Sequence, residues 1–303
     1  MAEKLEELPI AIPQIGQDRI LVQLSRMYEK DPLKAVREYL TNSLDAIDKS
    51  KTNKGKIVVA LDPYARSLVI ADNASGMSQR QMDELSSNIG HSEKFDKIDQ
   101  RGEKGVGLLS FGSVGSSLQV VSREGALANN SYNYIHWRRE EIGSEEKIKA
   151  YRSQYRKTEE DITKEFYGPF QSGTQIIMGL TEDVLKEKLT QEELIRAIQD
   201  LYLPLFHNQR VSFAFAQINR DKNGRASLEE RVIKVPEMPG ETLIKERIPF
   251  VSTRAKKGSL PEKYELDVML VFNGEDESGK VGVYSRDVKV YDSVAELDES
   301  LGQ

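Results

Sequence analysis

Residues 31–77 switch from one hydrophobic period to another, and this switch constrains the fold more than any other feature of the chain. Asp31-Pro32 suits a helix start, with Asp as the N-cap and Pro at the first helical position. Leu33, Val36, Leu40, Leu44 and Ile47 then recur at spacings of three and four, which predicts an amphipathic helix. Two short β-rich runs follow, Lys56 to Leu61 and Ser67 to Ala71. Asp62-Pro63-Tyr64-Ala65 joins them, so they read as a hairpin.

The pattern continues in alternation. Ser78-Gln-Arg-Gln81 is a capping-box signature and predicts a short helix. Asn88 to Lys104 is polar and aperiodic and reads as a long mobile loop. Leu108, Phe111 and Leu118 suggest a helix running into a strand at Leu118 to Val121, and Ser131 to Trp137 reads as another strand. Arg138 to Lys164 is rich in charge and reads as a solvated helix or an insertion. A strand is expected at Gln175 to Leu180, and a helix capped by Thr190-Gln-Glu-Glu193 is expected to end near Pro204. From there the texture becomes β-type. Strands are expected at Val211 to Ile218, Arg231 to Val235, Tyr264 to Phe272 and Lys280 to Tyr291, with a turn at Asp221-Lys-Asn-Gly224. A domain boundary is placed near residue 210.

Bulk properties exclude several classes. A length of 303 residues suggests two domains. The net charge of −6 gives no electrostatic case for wrapping nucleic acid, although it leaves room for a local basic patch. With no cysteine, thiolate chemistry and disulfides are ruled out. Apolar runs are strand-sized, and the acidic N-terminus lacks an apolar signal core, so the simplest expectation is a cytoplasmic protein that spans no membrane. His91, His136 and His207 are scattered and suggest neither a metal cluster nor a triad. Trp137 reads as core.

Four short motifs carry chemistry. On the first helix, Glu38, Asn42 and Asp45 stand at i, i+4 and i+7 and form one polar stripe opposite the apolar set. Taken alone, this reads better as a solvated helix face. Asp72-Asn73-Ala74-Ser75-Gly76-Met77 follows a strand. An acid there can accept a hydrogen bond from the exocyclic amine of adenine, and Gly76 lets the backbone approach a flat base. An Asx-turn accounts for the same residues. Gly102-Glu-Lys-Gly105-Val106-Gly107 precedes an apolar helical pattern and could expose backbone N–H groups to a phosphate, where a flexible loop is the simpler alternative. No Lys-Ser/Thr follows the last glycine, so it is not a P-loop. Finally, Ser172-Gly173-Thr174 places a hydroxyl at a strand start.

The order of these motifs is more informative than any one of them. E-x-x-N-x-x-D-A on a helix, D-x-x-x-G-M after a strand, G-x-x-G-x-G before a helix and G-T before a strand resemble the four boxes of the GHKL ATPases. This superfamily includes gyrase B, the ninety-kilodalton heat-shock chaperone, histidine kinases and MutL. Val36 to Lys49, Leu68 to Met77, Ile89-Gly-His-Ser-Glu-Lys94 and Gly173 to Ile177 are most similar to the chaperone, with MORC-like members as the other near group, and the likeness spans roughly positions 20 to 205. The resemblance departs at Ala74, which stands where the family writes a glycine. A positive φ there would strain an alanine by about 1 kcal/mol.

The resemblance implies an α+β fold: a Bergerat-type ATP-binding α/β sandwich over residues 1–210 with a lid around 78–107. A smaller β-rich, transducer-like or middle-like domain would follow over 211–303, either truncated or belonging to a shorter relative. It implies ATP and Mg²⁺ as cofactors. Asp72 would read the adenine amine, with Gly76 and Met77 beside it and Thr174 assisting through water. Asn42 would be the Mg²⁺ ligand, Glu38 the group that orients or deprotonates the attacking water, and Asp45 a support for the pocket. Gly102, Gly105, Val106 and Gly107 would close over the phosphates. Arg254, Lys256, Lys257 and Lys289 are basic residues of the second domain, and each reads more simply as surface charge. The resulting expectation is a slow ATPase with an ATP-dependent homodimer and a chaperone-like cycle acting on a protein client. A nucleotide-dependent dimerisation switch without turnover is one alternative. A DNA-acting topoisomerase B, MutL or MORC-like subunit is another, with nucleic acid as a partner that the charge does not indicate. A histidine kinase fits least, since the ATP-binding motifs begin near the N-terminus.

Overall fold

The computed structural model describes residues 5–8, 32–50, 54–87, 110–112, 114–125, 131–142, 145–153, 157–158, 172–185, 189–220, 226–235, 241–251, 263–272, 283–285 and 288–291. The chain divides into two compact units, residues 1–234 with Ser285–Lys289, and Val235–Tyr284 with Val290–Gln303.

In the first unit the elements are β1 (Leu5–Leu8), α1 (Pro32–Ser50), β2 (Gly55–Asp62), β3 (Ser67–Asp72), α2 (Gln79–Ser87), β4 (Gly115–Arg123), β5 (Ser131–Ile142), β6 (Glu145–Ser153), β7 (Lys157–Thr158), β8 (Gly173–Leu180), α3 (Gln191–Leu201), α4 (Leu203–Asn208), β9 (Val211–Arg220) and β10 (Ala226–Val232). One sheet runs in the order β1-β6-β5-β4-β8-β3-β2-β9-β10, with β7 on β5. Only the β2–β9 pair is parallel among these described strands.

The 31–77 pattern folds as its periods require. Asp31, the expected N-cap, lies outside the described residues. Helix α1 buries Val36, Leu40, Leu44 and Ile47 against the sheet. Each such side chain contributes about 1.5–3 kcal/mol when fully removed from water. Strands β2 and β3 form the expected antiparallel hairpin, with Ile57 opposite Asp72 and Asp62 opposite Ser67. Asp62 accepts the Ala65 N–H at 2.9 Å inside the turn. Alternate residues of these strands enter two different cores. Ile57, Val59, Leu68 and Ile70 join the core shared with α1, α3 and α4. Val58, Ala60, Val69 and Ala71 join a second core on the opposite face.

Both capping boxes form. Ser78 Oγ accepts the Gln81 N–H at 3.3 Å, and Gln81 Oε1 accepts the Ser78 N–H at 2.8 Å. Thr190 and Glu193 do the same for α3. That helix gives way at Tyr202 to the short α4, which carries Pro204 in its first turn. Proline is tolerated there because its missing N–H is an orphan donor in any case.

Three expectations are corrected. The boundary near residue 210 falls inside the sheet: β9 pairs with β2 from Gly55↔Val211 to Leu61↔Gln217, β10 pairs with β9, and the first unit continues to Lys234. A change to β texture marked the return of the chain to its first sheet. The charged run from Arg138 is strand as far as Ser153 wherever it is described, not a helix, since β5 continues to Ile142 and β6 returns antiparallel to it. Its charges are placed in pairs. Lys149 meets Glu7 at 3.1 Å and Arg152 meets Glu6 at 2.9 Å, both across to β1. Ala150 turns inward and is fully buried. The helix expected from Leu108 is, where described, a single 3₁₀ turn at Ser110–Gly112 ahead of β4. The loop from Asn88 to Lys104 lies outside the described residues.

In the second unit, β11 (Glu241–Val251) and β12 (Lys263–Phe272) form an antiparallel hairpin. β13 (Val283–Ser285) and β14 (Val288–Tyr291) form a two-stranded pair. β11 has no counterpart among the strands expected from sequence.

Candidate functional site

A polar row crosses the first sheet at one end of its strands. Register places Asp72 of β3 opposite Thr174 of β8, Thr174 opposite Ser122 of β4, and Ser122 opposite Asn133 of β5. Directly paired residues share a face. This is the α1 face, because Ile70, Ile176, Val120 and Ile135, two positions away on each strand, all join the core of α1. All four polar residues are buried. Four polar side chains in line on a hydrophobic face are costly unless each finds partners.

The partners are specific. Asp72 Oδ1 accepts the Ala74 N–H at 3.0 Å and the Thr174 N–H at 3.3 Å. Both bonds fall on one carboxylate oxygen, Oδ1. Burial raises the Asp72 pKa from 3.8 to about 6, against the opposing pull of the Ala74 N–H, the Ser43 hydroxyl of α1 and the Thr174 N–H. Ser43 Oγ lies buried beside this carboxyl without a hydrogen bond of normal geometry among the described residues. A buried, perturbed acid of this kind, with two backbone amides fixed on Oδ1, is suited to accept from a ligand N–H.

The segment after Asp72 passes close to the sheet. Gly76 has φ +74°, and a Cβ there would lie 2.0 Å from the Arg123 carbonyl oxygen. Gly173 has φ +120°, and its Cβ would lie 2.0 Å from the Asp72 carbonyl oxygen. Both positions therefore require glycine. Ala74, by contrast, is not among the described residues with positive φ, and its side chain is buried in the core of α1. The strain that an alanine would suffer at a left-handed position is absent. The Asx-turn read in the sequence is present too, as the Asp72–Ala74 bond, and it shapes the site instead of replacing it.

The polar stripe of α1 is graded in exposure. Asn42 is exposed, Glu38 is half-buried and Asp45 is buried, at 5% exposure. The stripe thus runs from solvent into the protein, and only part of it faces outward. Met77 is half-buried beside the row. Gly102, Gly105, Val106 and Gly107 lie outside the described residues, as do His91, Arg254, Lys256 and Lys257. Trp137 is fully buried, as core. Sequence reading missed Ser43, Ser122 and Asn133. Only β-strand register brings the last two beside Asp72 and Thr174, and no local spacing signals it.

No group of three or more His, Asp or Glu residues able to hold a metal ion occurs among the described residues. No helix among them is long and apolar enough to cross a membrane.

No curated protein matches the chain. Residues 30–174 match the family described as "Histidine kinase-, DNA gyrase B-, and HSP90-like ATPase". That span begins just before α1 and ends on Thr174, so it encloses the helix stripe, the Asp72 segment, the glycine run and all four residues of the polar row. Together with the mixed α/β sheet, the match supports a GHKL-type ATPase domain in this part of the chain.

Proposed function

We propose that the chain binds Mg-ATP and hydrolyses it slowly, with closure of residues 78–107 and ATP-dependent pairing of two copies driving a chaperone-like cycle. The observation that carries the reading is the buried Asp72, whose carboxylate is fixed by two backbone amides inside the family-matched span. Asp72 accepts from the adenine amine, and Thr174 assists through water. Glu38 orients the attacking water and takes its proton as the bond to the γ-phosphorus forms and ADP leaves. Asp45 supports this group from inside the same helix. Gly102, Gly105, Val106 and Gly107 supply backbone N–H groups to the phosphates.

The residues present fit Mg²⁺. Asn42, an exposed residue of α1, carries an amide oxygen, the hard ligand type that Mg²⁺ takes alongside waters and phosphate oxygens. Bound there with the nucleotide, the ion would neutralise phosphate charge. The second unit, from Val235, is the transducer-like or middle-like domain in this reading.

Titration with ATP and Mg²⁺, following phosphate release and molecular mass, tests the proposal with Glu38→Ala alongside. Slow hydrolysis that vanishes in the variant, with ATP-dependent dimers trapped by it, is the expected result. Tight binding without turnover in either protein would leave a passive dimerisation switch. Absence of any nucleotide binding would overturn the reading.

A further inference from the structure

We propose that Ser122 and Asn133 are positioning residues of the nucleotide site: together they fix the backbone of Met77 and set the Thr174 hydroxyl as a hydrogen-bond acceptor. The ligand in this inference rests on the ATP reading above, whereas the clamp itself does not.

Met77 follows the obligatory Gly76 and lies outside any strand, so no ladder serves its backbone. Side chains serve it instead. Ser122 Oγ accepts the Met77 N–H at 2.7 Å, and Asn133 Nδ2 donates to the Met77 carbonyl at 2.8 Å. A carbonyl oxygen only accepts, so the amide nitrogen of Asn133 must face it. Asn133 Oδ1 is then buried without a partner among the described residues, a cost the fold bears while the other end holds Met77.

The hydroxyl contacts admit one arrangement. Ser122 Oγ has a single hydrogen and two lone pairs. It lies 3.0 Å from the Gly173 carbonyl oxygen and 2.9 Å from Thr174 Oγ1. The Gly173 carbonyl can only accept, so the Ser122 hydrogen goes there. The Met77 N–H fills one lone pair of Ser122. The contact with Thr174 is then a hydrogen bond only if Thr174 donates to the other. Its hydrogen is spent, and what it offers to the site is lone pairs. Asp72 and Thr174 therefore form an acceptor pair. A base edge that brings an N–H is matched, directly or through a water that donates, and a base with a carbonyl at the same place is opposed.

The test compares wild type, Ser122→Ala, Ser122→Thr and Asn133→Ala in two readouts. The first is amide hydrogen exchange at Met77 in the nucleotide-free protein. The second is calorimetric affinity for ATP and for ITP, which carries a carbonyl where ATP carries the amine. In Ser122→Ala we expect Met77 to exchange at least about tenfold faster, ATP affinity to fall about tenfold, and the preference for ATP over ITP to narrow. Ser122→Thr restores all three. Asn133→Ala weakens ATP binding with the preference retained. If Ser122→Ala does not fold, Ser122→Cys keeps the volume with a weak acceptor and carries the same expectation. Unchanged Met77 exchange, or an unchanged ATP-to-ITP ratio, would overturn the assignment. Wild-type protein that binds neither nucleotide would overturn the ATP reading itself, and the wild-type titration tells that failure apart from failure of Ser122 alone.

Discussion

The Tyr39 hydroxyl of α1 accepts the backbone N–H of Phe111 at 3.0 Å, across 72 positions of sequence. Both side chains are fully buried. Tyr39 is next to Glu38, and Phe111 follows the glycine run by four residues. On the other side of the same turn, Arg139 Nη1 donates to the Gly112 carbonyl at 2.6 Å. The helix bearing the first motif thus anchors the chain where it leaves the third. Tyr39→Phe keeps the ring and removes the hydroxyl, so the Phe111 N–H loses its bond inside the core. The expected cost is about 1–3 kcal/mol in denaturant unfolding. An unchanged midpoint would mean that the turn finds another acceptor.

Asp72→Asn separates stability from binding. The buried carboxylate is held above its ordinary pKa by loss of water, so its ionised form is a burden on the fold at neutral pH. Asparagine retains an oxygen for the Ala74 and Thr174 N–H groups and carries no charge. A shift from 3.8 to about 6 corresponds to a stabilisation of the variant by about 3 kcal/mol at pH 7. Nucleotide affinity should fall roughly 10–100-fold at the same time, because a charge-assisted bond is lost. A higher melting temperature with weaker ATP binding is the expected pair of results; unchanged affinity would remove Asp72 from the site.

The same group sets a pH dependence. Between about 4 and 6 the folded protein holds the Asp72 proton while the unfolded chain releases it. The folded state then binds more protons, so lowering the pH through this window favours folding. The advantage of Asp72→Asn over wild type should therefore be full at pH 7, shrink below about 6 and vanish near 4. ATP affinity of the wild type should weaken as pH falls below about 6, by at most about tenfold per unit, since the protonated acid no longer offers a full acceptor. In Asp72→Asn that dependence should be absent. Paired unfolding and binding titrations across pH 4.5–7.5 measure both.

What the sequence made legible was local. The period of Leu33 to Ile47 and the Ser78 and Thr190 capping boxes depend on neighbours three or four residues apart, and they fold as those neighbours dictate. The β2–β3 hairpin is as local. β1, with two glutamates in four residues, pairs with β6, where Lys149 and Arg152 meet those charges from 142 and 146 positions away. The charged end of β5 from Arg138 and the whole of β6 were unreadable for the same reason, since charge suggests solvent until a cross-strand partner is known. The site divides in the same manner. Asp72 and Thr174 stand out by motif, whereas Ser122 and Asn133 are ordinary residues of two strands until register brings them into line.

The two small residues after Asp72 have opposite requirements, which a pair of substitutions can expose. Gly76 has φ +74° with the Arg123 carbonyl 2.0 Å from where a Cβ would stand. Alanine there must displace backbone, not a flexible side chain, and it would break the Met77–Ser122 bond one residue on. Gly76→Ala should cost several times the roughly 1 kcal/mol of a left-handed alanine alone. Ala74 sits where the resemblance expects glycine, yet its methyl is buried at 1% exposure in the core of α1 and its backbone needs no positive φ. Ala74→Gly removes that methyl and adds freedom to the unfolded chain, so it should destabilise by about 1–2 kcal/mol. It should not tighten nucleotide binding, because nothing in the backbone is relieved. Thermal unfolding and ATP titration of the two variants decide the matter. A stabilised or tighter-binding Ala74→Gly would show that the alanine is a strained substitute after all, and a tolerated Gly76→Ala would show that the segment carrying Met77 can move away from β4.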